Sequence, residues 1–424
     1  MKMTKGGITA PKGFTASGMS AGIKKSGKKD LVLIYSEQEC EAAGLFTTNK
    51  VQASCVVINK QHLKNGKAQA IIANSGNANC MTGKKGFADS RTMASAVAKL
   101  LDLSKQDVLV ASTGVIGQPL PIKKIVTAVP VLVGALKRSG SKDAALGILT
   151  TDRTVKEVAT EIIIGKTKVR IGAIAKGAGM IHPQMGPPSA PSSAKGYGRA
   201  QQGYGGAKHA TMLCFVSTDA AIAPTALRVA LNTAVENSFN MITIDGDMST
   251  NDMVLLLANG MAKNKLITKD SKEATVFGVA LQSLFLTLAK LMVRDAEGAT
   301  KFIELDVTGA RSTKDARKVA RSIASSNLVK CALFGSDPNW GRIAAAAGYS
   351  GAHVDPWKMR IYIGKELVLK NGGPTNVATA VLDAAFAKKD IQIHVDLGLG
   401  KQTAIAYTCD LSTSYVKKNS AYRT

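Results

Sequence analysis

Twenty-four residues from Gly186 to His209, GPPSAPSSAKGYGRAQQGYGGAKH, interrupt the chain near its midpoint. They are rich in Gly, Pro, Ser and Ala and carry Lys195, Arg199 and Lys208 but no acid. Such a stretch cannot bury enough apolar surface to offset the entropy lost on ordering it, so it supplies no core element. Whatever packs in these 424 residues must come from the two flanking segments. Yet an apolar, strand-like run, ATMLCFV, starts at Ala210–Thr211, directly after the insert. A flexible segment 186–209 thus delivers the chain to a Thr at the head of a buried strand, and a chemical reason suggests itself. If the peptide bond before Thr211 breaks, the Thr becomes an N-terminal catalyst.

The flanks contain both kinds of element. DLVLIY (30–35), ASCVVIN (53–59) and AQAIIAN (68–74) read as short strands bounded by polar residues or Gly. In DIQIHVDL, Ile391, Ile393, Val395 and Leu397 alternate with polar residues, predicting a strand with one wet face. GLGK then suggests a turn into a hairpin partner, QTAIAYTCDL. Pro224 followed by Leu227, Ala230, Leu231, Ala234 and Val235 predicts a helix, as does 313–326 with Ala316, Val319, Ala320 and Ile323. A third helix is expected over 89–101, with Asp89 or Ser90 as its N-cap. Strands and helices are interspersed without a strict βαβ rhythm. The expected class is a layered α/β (α+β) fold, not a barrel or a doubly wound nucleotide fold.

Composition narrows the function classes. The net charge is +25, from 55 Lys+Arg against 30 Asp+Glu. The basic residues are spread along the chain without interleaved aromatics, so a solvated basic surface is favoured over nucleic-acid binding. Cys40, Cys55, Cys80, Cys214, Cys331 and Cys409 show no CxxC or Cys/His spacing, which argues against disulfides or zinc and for a reducing compartment. With no signal-peptide h-region and no apolar run near the ~20 residues that span a bilayer, a cytoplasmic location is expected.

Local motifs exclude more than they assign. DGDMSTND (245–252) resembles the start of a calcium loop, but Thr250 and Leu256 stand where Gly and Glu are required, so turn chemistry is the better reading. GLGLGKQT has Gln402 where a phosphate loop needs Ser or Thr. His62, His182, His209, His353 and His394 come with no GxSxG elbow. The STG of ASTGVIG (111–117) could offer backbone N–H groups to an anion. An N-terminal Thr needs no His. Its α-amine has a pKa near ~7.8 against ~10.4 for Lys, so roughly one molecule in seven carries a free base at pH 7. That base is attached to the nucleophile's own Cα, and β-branching restricts the Thr hydroxyl at χ1.

Taken together, GGITAPKGF, AAGLFTTN, NSGNAN, ASTGVIGQPLP, LTTD, AKGAGMIHPQM, ATML, ITIDGDMSTND, VRDAEGATKFIE, FGSDPNWGRI and AYRT resemble the ornithine acetyltransferases (glutamate N-acetyltransferases) of arginine biosynthesis, from about residue 6 to Thr424. The resemblance implies helices on the outer faces of two sheets, as in DmpA-like aminopeptidases, with a smaller C-terminal lobe. It also implies self-cleavage between Ala210 and Thr211, giving an α chain (1–210) and a β chain (211–424) that associate as an α2β2 heterotetramer. Thr211 is then the nucleophile, Thr113 and Gly114 form the oxyanion hole, and Thr150, Lys176, Glu297, Asn419 and Thr424 match substrate-contacting positions. The implied reaction moves an acetyl group from N-acetylornithine to glutamate, with no cofactor; acetyl-CoA as a second donor is left open by the residues. One departure stands out: in the family HPQM runs straight into ATML, whereas here Gly186–His209 intervenes. Two alternatives remain, a related N-terminal-nucleophile hydrolase and an uncleaved basic protein that binds nucleic acid, whose affinity would fall steeply with salt.

Overall fold

The computed structural model describes residues 1–188, 208–209 and 211–420. The chain divides into two compact units. The first comprises Met1–Ser238 and Met248–Leu288, and the second Phe239–Asp247 with the described chain from Ala289 onward. Thr211 therefore lies inside the first unit, and the units do not follow the expected 1–210 and 211–424 fragments.

Each unit holds one sheet, and helices accompany both, which makes the class mixed α/β. In the first, β1 (Lys2–Thr4), β2 (Phe14–Met19), β3 (Leu31–Thr47), β4 (Lys67–Asn77) and β5 (Val108–Val115) are followed by β6 (Lys156–Ile164) and β7 (Thr167–Lys176). Then come β8 (Met185–Gly186), β9 (Lys208–His209), β10 (Leu213–Thr218) and β11 (Met253–Ala258). The order is β1-β6-β7-β10-β11-β3-β4-β5-β9, with β2 and β8 also pairing with β3. Every residue of β5, β10 and β11 is buried, as expected of strands covered on both faces. The 17-residue β3 pairs with β4 from Leu31 and with β11 through Glu41–Phe46, and its register against β4 shifts between Tyr35 and Cys40. Both ends of the insert are strands: Gly186 pairs with Phe46, and His209 with Gly114. The rest of it, 189–207, lies outside the described residues.

Two local expectations in this unit need correction. Residues 53–59 are not a strand; Ser54–His62 is a helix that buries Cys55, Val56 and Ile58. A short apolar run satisfies either period, and here Asn59 decides. Its side-chain amide donates to the Val110 carbonyl and accepts from the Val110 N–H, both at 2.8 Å, pinning the helix across β5. The 89–101 helix starts earlier, at Gly83, so Asp89 and Ser90 are interior residues. Asp89 pairs with Lys85 one turn back, and Ser90 accepts from Asn79.

In the second unit the strands are β12 (Phe302–Ala310), β13 (Arg360–Ile363), β14 (Glu366–Lys370), β15 (Gly373–Pro374), β16 (Asp390–Asp396) and β17 (Gln402–Cys409). β16 keeps the expected alternation of buried and wetter residues. Its hairpin with β17 does not form, because β12 lies between them, parallel to β16 and antiparallel to β17. The helix Thr313–Ser325 buries Ala316, Val319, Ala320 and Ile323, and its N-cap Ser312 accepts from the Asp315 N–H.

The helix Lys272–Arg294 is long and apolar enough to cross a bilayer by length and composition, contrary to expectation. Phe277, Leu281 and Phe285 are buried within the protein, which accounts for its apolarity. All six cysteines are free thiols.

Candidate active site

Several strand ends of the first unit converge on Thr211. It stands two residues before β10, and Asp252 stands immediately before β11, the parallel neighbour of β10. Lys176 ends β7 and is directly opposite Leu213 in the antiparallel β7–β10 register. Thr113 and Gly114 belong to β5, five strand positions away from β7 in the sheet order. In a flat sheet that separation would be about 24 Å. Lys176 Nζ nevertheless lies 3.4 Å from Thr113 Oγ1, so the sheet curls back on itself and brings its two parts together. Asn251 spans the same gap, donating to the carbonyls of Ala78 and Ser112, each at 2.8 Å.

Thr211 is only 3% exposed, and its hydroxyl is held from two sides. It donates to Asp252 Oδ1 at 2.8 Å, an oxygen that also accepts the Met212 N–H at 2.9 Å. Ser249 Oγ accepts from the Asn251 N–H and is in close hydrogen-bond contact with Thr211 Oγ1. Since a carboxylate only accepts, the hydrogens run from Ser249 to Thr211 to Asp252. Burial pushes the Asp252 carboxyl up to about 6, partly offset by the Met212 N–H, the Thr211 hydroxyl and the charge on Lys176.

Beside this lies a buried ionic cluster. Lys176 Nζ donates to Thr150 Oγ1 at 2.7 Å and stands 3.8 Å from Asp152. Lys156 pairs with the other Asp152 oxygen at 2.8 Å, and the Gly177 N–H donates to that oxygen at 2.7 Å. Burial alone would raise the Asp152 carboxyl, but Lys176 and Lys156 outweigh it and bring it down to about 2. The Lys176 ammonium is thus held in place by an acid that stays ionised.

Gly114 needs its missing side chain. Its φ is +135°, and a Cβ there would lie 2.3 Å from the Gly76 carbonyl carbon. Gly114→Ala therefore has to displace the β4–β5 crossing beside Thr113. Ala in that backbone conformation is expected to cost about 1–3 kcal/mol of stability, read by denaturant unfolding.

A family model described as the ArgJ family matches residues 15–424. This chain belongs to the ArgJ family. It is 45% identical over 426 residues to the arginine biosynthesis bifunctional protein ArgJ of Symbiobacterium thermophilum, with 100% of both chains covered. A crystal structure of the arginine biosynthesis bifunctional protein argJ from Bacillus halodurans is 43% identical, covering 49% of this chain and 98% of that one, with a TM-score of 0.48. The structure of ornithine acetyltransferase complexed with ornithine from Mycobacterium tuberculosis is 41% identical, covering 44% of this chain and 99% of that one, with a TM-score of 0.42.

In this ArgJ chain, four of the expected site positions gather around Lys176: Thr113, Thr150, Lys176 itself and, through Asp252, Thr211. Glu297 and Asn419 form a pair of their own in the second unit, where the Asn419 amide donates to Glu297 at 3.1 Å. Ala210 and Thr424 lie outside the described residues. The sequence reading missed Ser249, Asp252 and Asp152. The first two belong to DGDMSTND, read there as turn chemistry; the available signal was a polar cluster running into the wholly apolar MVLLLA. Among the described residues, no three His, Cys, Asp or Glu side chains gather as metal ligands would.

Proposed function

We propose that this ArgJ enzyme cuts itself between Ala210 and Thr211 and then uses Thr211 to carry an acetyl group from N-acetylornithine to glutamate. One observation above all supports the reading. The backbone of Lys208–His209, immediately upstream of the scissile bond, pairs antiparallel with Val115–Gly114. The segment to be cut is thereby laid along the strand end that bears the oxyanion donors, while the Thr211 hydroxyl is oriented by Asp252 and Ser249.

After cleavage the free α-amine of Thr211 takes the proton from its own Oγ, which attacks the acetamide carbonyl of N-acetylornithine. The negative charge develops against Thr113 and Gly114; one such donor contributes roughly 3 kcal/mol in the transition state. The ammonium of Thr211 then protonates the leaving ornithine nitrogen. The amine of glutamate attacks the acetyl-Thr ester, releasing N-acetylglutamate and restoring the hydroxyl. Lys176, fixed by Asp152 and Thr150, offers its charge to a substrate carboxylate. The substrate contacts assigned to Glu297, Asn419 and Thr424 rest on the motif match alone. Cytoplasmic location and an α2β2 assembly of the cut chains belong to the same reading. Acetyl-CoA is a candidate second donor.

Denaturing mass analysis tests the cut: two chains, Met1–Ala210 and Thr211–Thr424, are expected. A covalent acetyl-enzyme also requires ping-pong kinetics. Initial velocities with N-acetylornithine varied at several glutamate concentrations should give parallel reciprocal lines. Intersecting lines would remove the acetyl-Thr intermediate from the mechanism.

A further inference from the structure

The amine that serves as base during acetyl transfer does not exist until the chain has been cut. Before that the Thr211 nitrogen is an amide, with no lone pair to spare for a proton, yet the Thr211 hydroxyl must still be activated to attack the preceding carbonyl. A different proton acceptor has to stand at Oγ during maturation. We propose that Asp252 is this acceptor, and that it returns the proton to the departing Thr211 nitrogen. The inference rests on the self-cleavage reading above and adds to it the residue that moves the proton.

Asp252 is placed for the task. It is 0% exposed, and its Oδ1 already receives the Thr211 hydroxyl hydrogen at 2.8 Å. The same oxygen accepts the Met212 N–H, so the carboxylate is fixed relative to the residue whose bond breaks. Its other oxygen, Oδ2, is buried without a hydrogen-bond partner, and Asp252 is the one ionisable residue among the described side chains left in that condition. A carboxylate so poorly solvated is a stronger base than one in water and tolerates being neutral.

The other groups around Oγ do not fit. Ser249 is an alcohol whose oxygen already accepts the Asn251 N–H. Lys176 is the charged group that acts on Asp252, and its ammonium is bound to Thr150 with Asp152 beside it. Lys156 in turn neutralises Asp152 from the far side, so the three form a fixed ionic cluster and not a proton relay.

The Thr211 Oγ–H proton passes to Asp252 as Oγ bonds to the Ala210 carbonyl carbon, giving a tetrahedral adduct. The C–N bond to Thr211 breaks, and the Asp252 proton goes to that nitrogen, leaving an ester between Ala210 and Thr211 Oγ. Water then adds to the ester and the C–O bond breaks; one water hydrogen goes to Thr211 Oγ and the other protonates the new Thr211 amine, leaving the Ala210 carboxylate and the Thr211 hydroxyl. Asp252 ends ionised, as it began.

Pulse-labelled cell-free synthesis of the full chain, followed by transfer to buffers between about pH 5 and 8, would follow the appearance of the two fragments on denaturing gels. Proton transfer by a placed side chain contributes about 10²–10⁴-fold, so Asp252→Asn should cut at least about 100-fold more slowly than the parent. The parent rate should rise with pH through one ionisation. His209→Ala should keep that profile, which separates Asp252 from a histidine titrating in the same range next to the cut. Circular dichroism checks that Asp252→Asn is folded. If it is not, the parent and His209→Ala profiles decide alone: a flat parent profile, or one abolished by His209→Ala, overturns the proposal. Parent chain cut normally with Asp252→Asn cut equally fast also overturns it. A parent chain that never cuts between Ala210 and Thr211 sinks the self-cleavage reading itself.

Discussion

Thr211→Ala is expected to leave one unbroken chain of 424 residues and to lower acetyl transfer by about 10⁴-fold or more. The effect is so large because the proposed mechanism gives Thr211 two jobs: its hydroxyl as nucleophile for both maturation and transfer, and its nitrogen as base once the chain is cut. On that mechanism, losing the hydroxyl prevents the cut, and without the cut there is no amine. The hydroxyl is also the group presented to Asp252 and Ser249, so its removal leaves two oriented partners with nothing to activate. Intact mass and an acetyl-exchange assay read the two losses separately. An intact variant that still transferred acetyl groups at the parent rate would show that another residue carries the acyl group.

Lys176→Met should be the most damaging change to stability at the site, by about 3–5 kcal/mol, since it takes one of two cations from a buried carboxylate. The Asp152 side chain is fully buried and would keep Lys156 and the N–H groups of Gly177 and Thr150. The pH dependence follows from the direction of the shift. In the folded protein the Asp152 carboxyl lies at about 2, against 3.8 for the unreacted group, so the unfolded chain binds the proton more readily. Its stabilisation, of about 2 kcal/mol, is present above pH ~4 and lost as the pH falls through ~2. The Lys176 charge helps to hold the Asp152 carboxyl down, so its removal raises the folded value and moves the acid loss to higher pH. Denaturant unfolding across a pH series checks both effects. It is best done in the uncut Thr211→Ala background, where unfolding stays unimolecular. An unchanged acid limb in Lys176→Met would mean that Lys156 alone keeps Asp152 ionised.

How much of the site was legible depended on what each residue's role requires. Thr211, Thr113, Gly114, Thr150 and Lys176 sit in short contiguous motifs, and the structure brings them together around one ammonium and one hydroxyl. Gly114 also has a local physical signature, a backbone conformation and a close approach that exclude a side chain. Asp252 and Ser249 carry no such mark. In DGDMSTND they look like any polar turn, and their importance arises only because β11 runs parallel to β10 and starts beside Thr211. Asp152 is similar: an acid in LTTD is usually solvated, and nothing nearby in sequence except Lys156 shows that it is buried among cations.

The same division runs through the fold. Patterning within one element sufficed for the helices Pro224–Glu236 and Thr313–Ser325 and for β16, whose periods are unambiguous over their length. It failed for Ser54–His62, where seven residues fit a strand or a helix and a side-chain bond to Val110 settles the matter. It failed again for the hairpin near the C-terminus, because β12 comes from about eighty residues upstream to lie between β16 and β17.

By itself, then, the amino-acid order determined where local periodicity is strong, which Thr heads a buried strand and which family's motifs are present. Tertiary structure alone decided that a sheet curls until Lys176 meets Thr113, and that an acid and a serine some forty residues downstream close on the Thr211 hydroxyl. The reason is that periodicity and propensity act between near neighbours. The solvation of a carboxylate and the direction of a hydroxyl's hydrogen depend instead on groups the chain brings together only after its strands have paired.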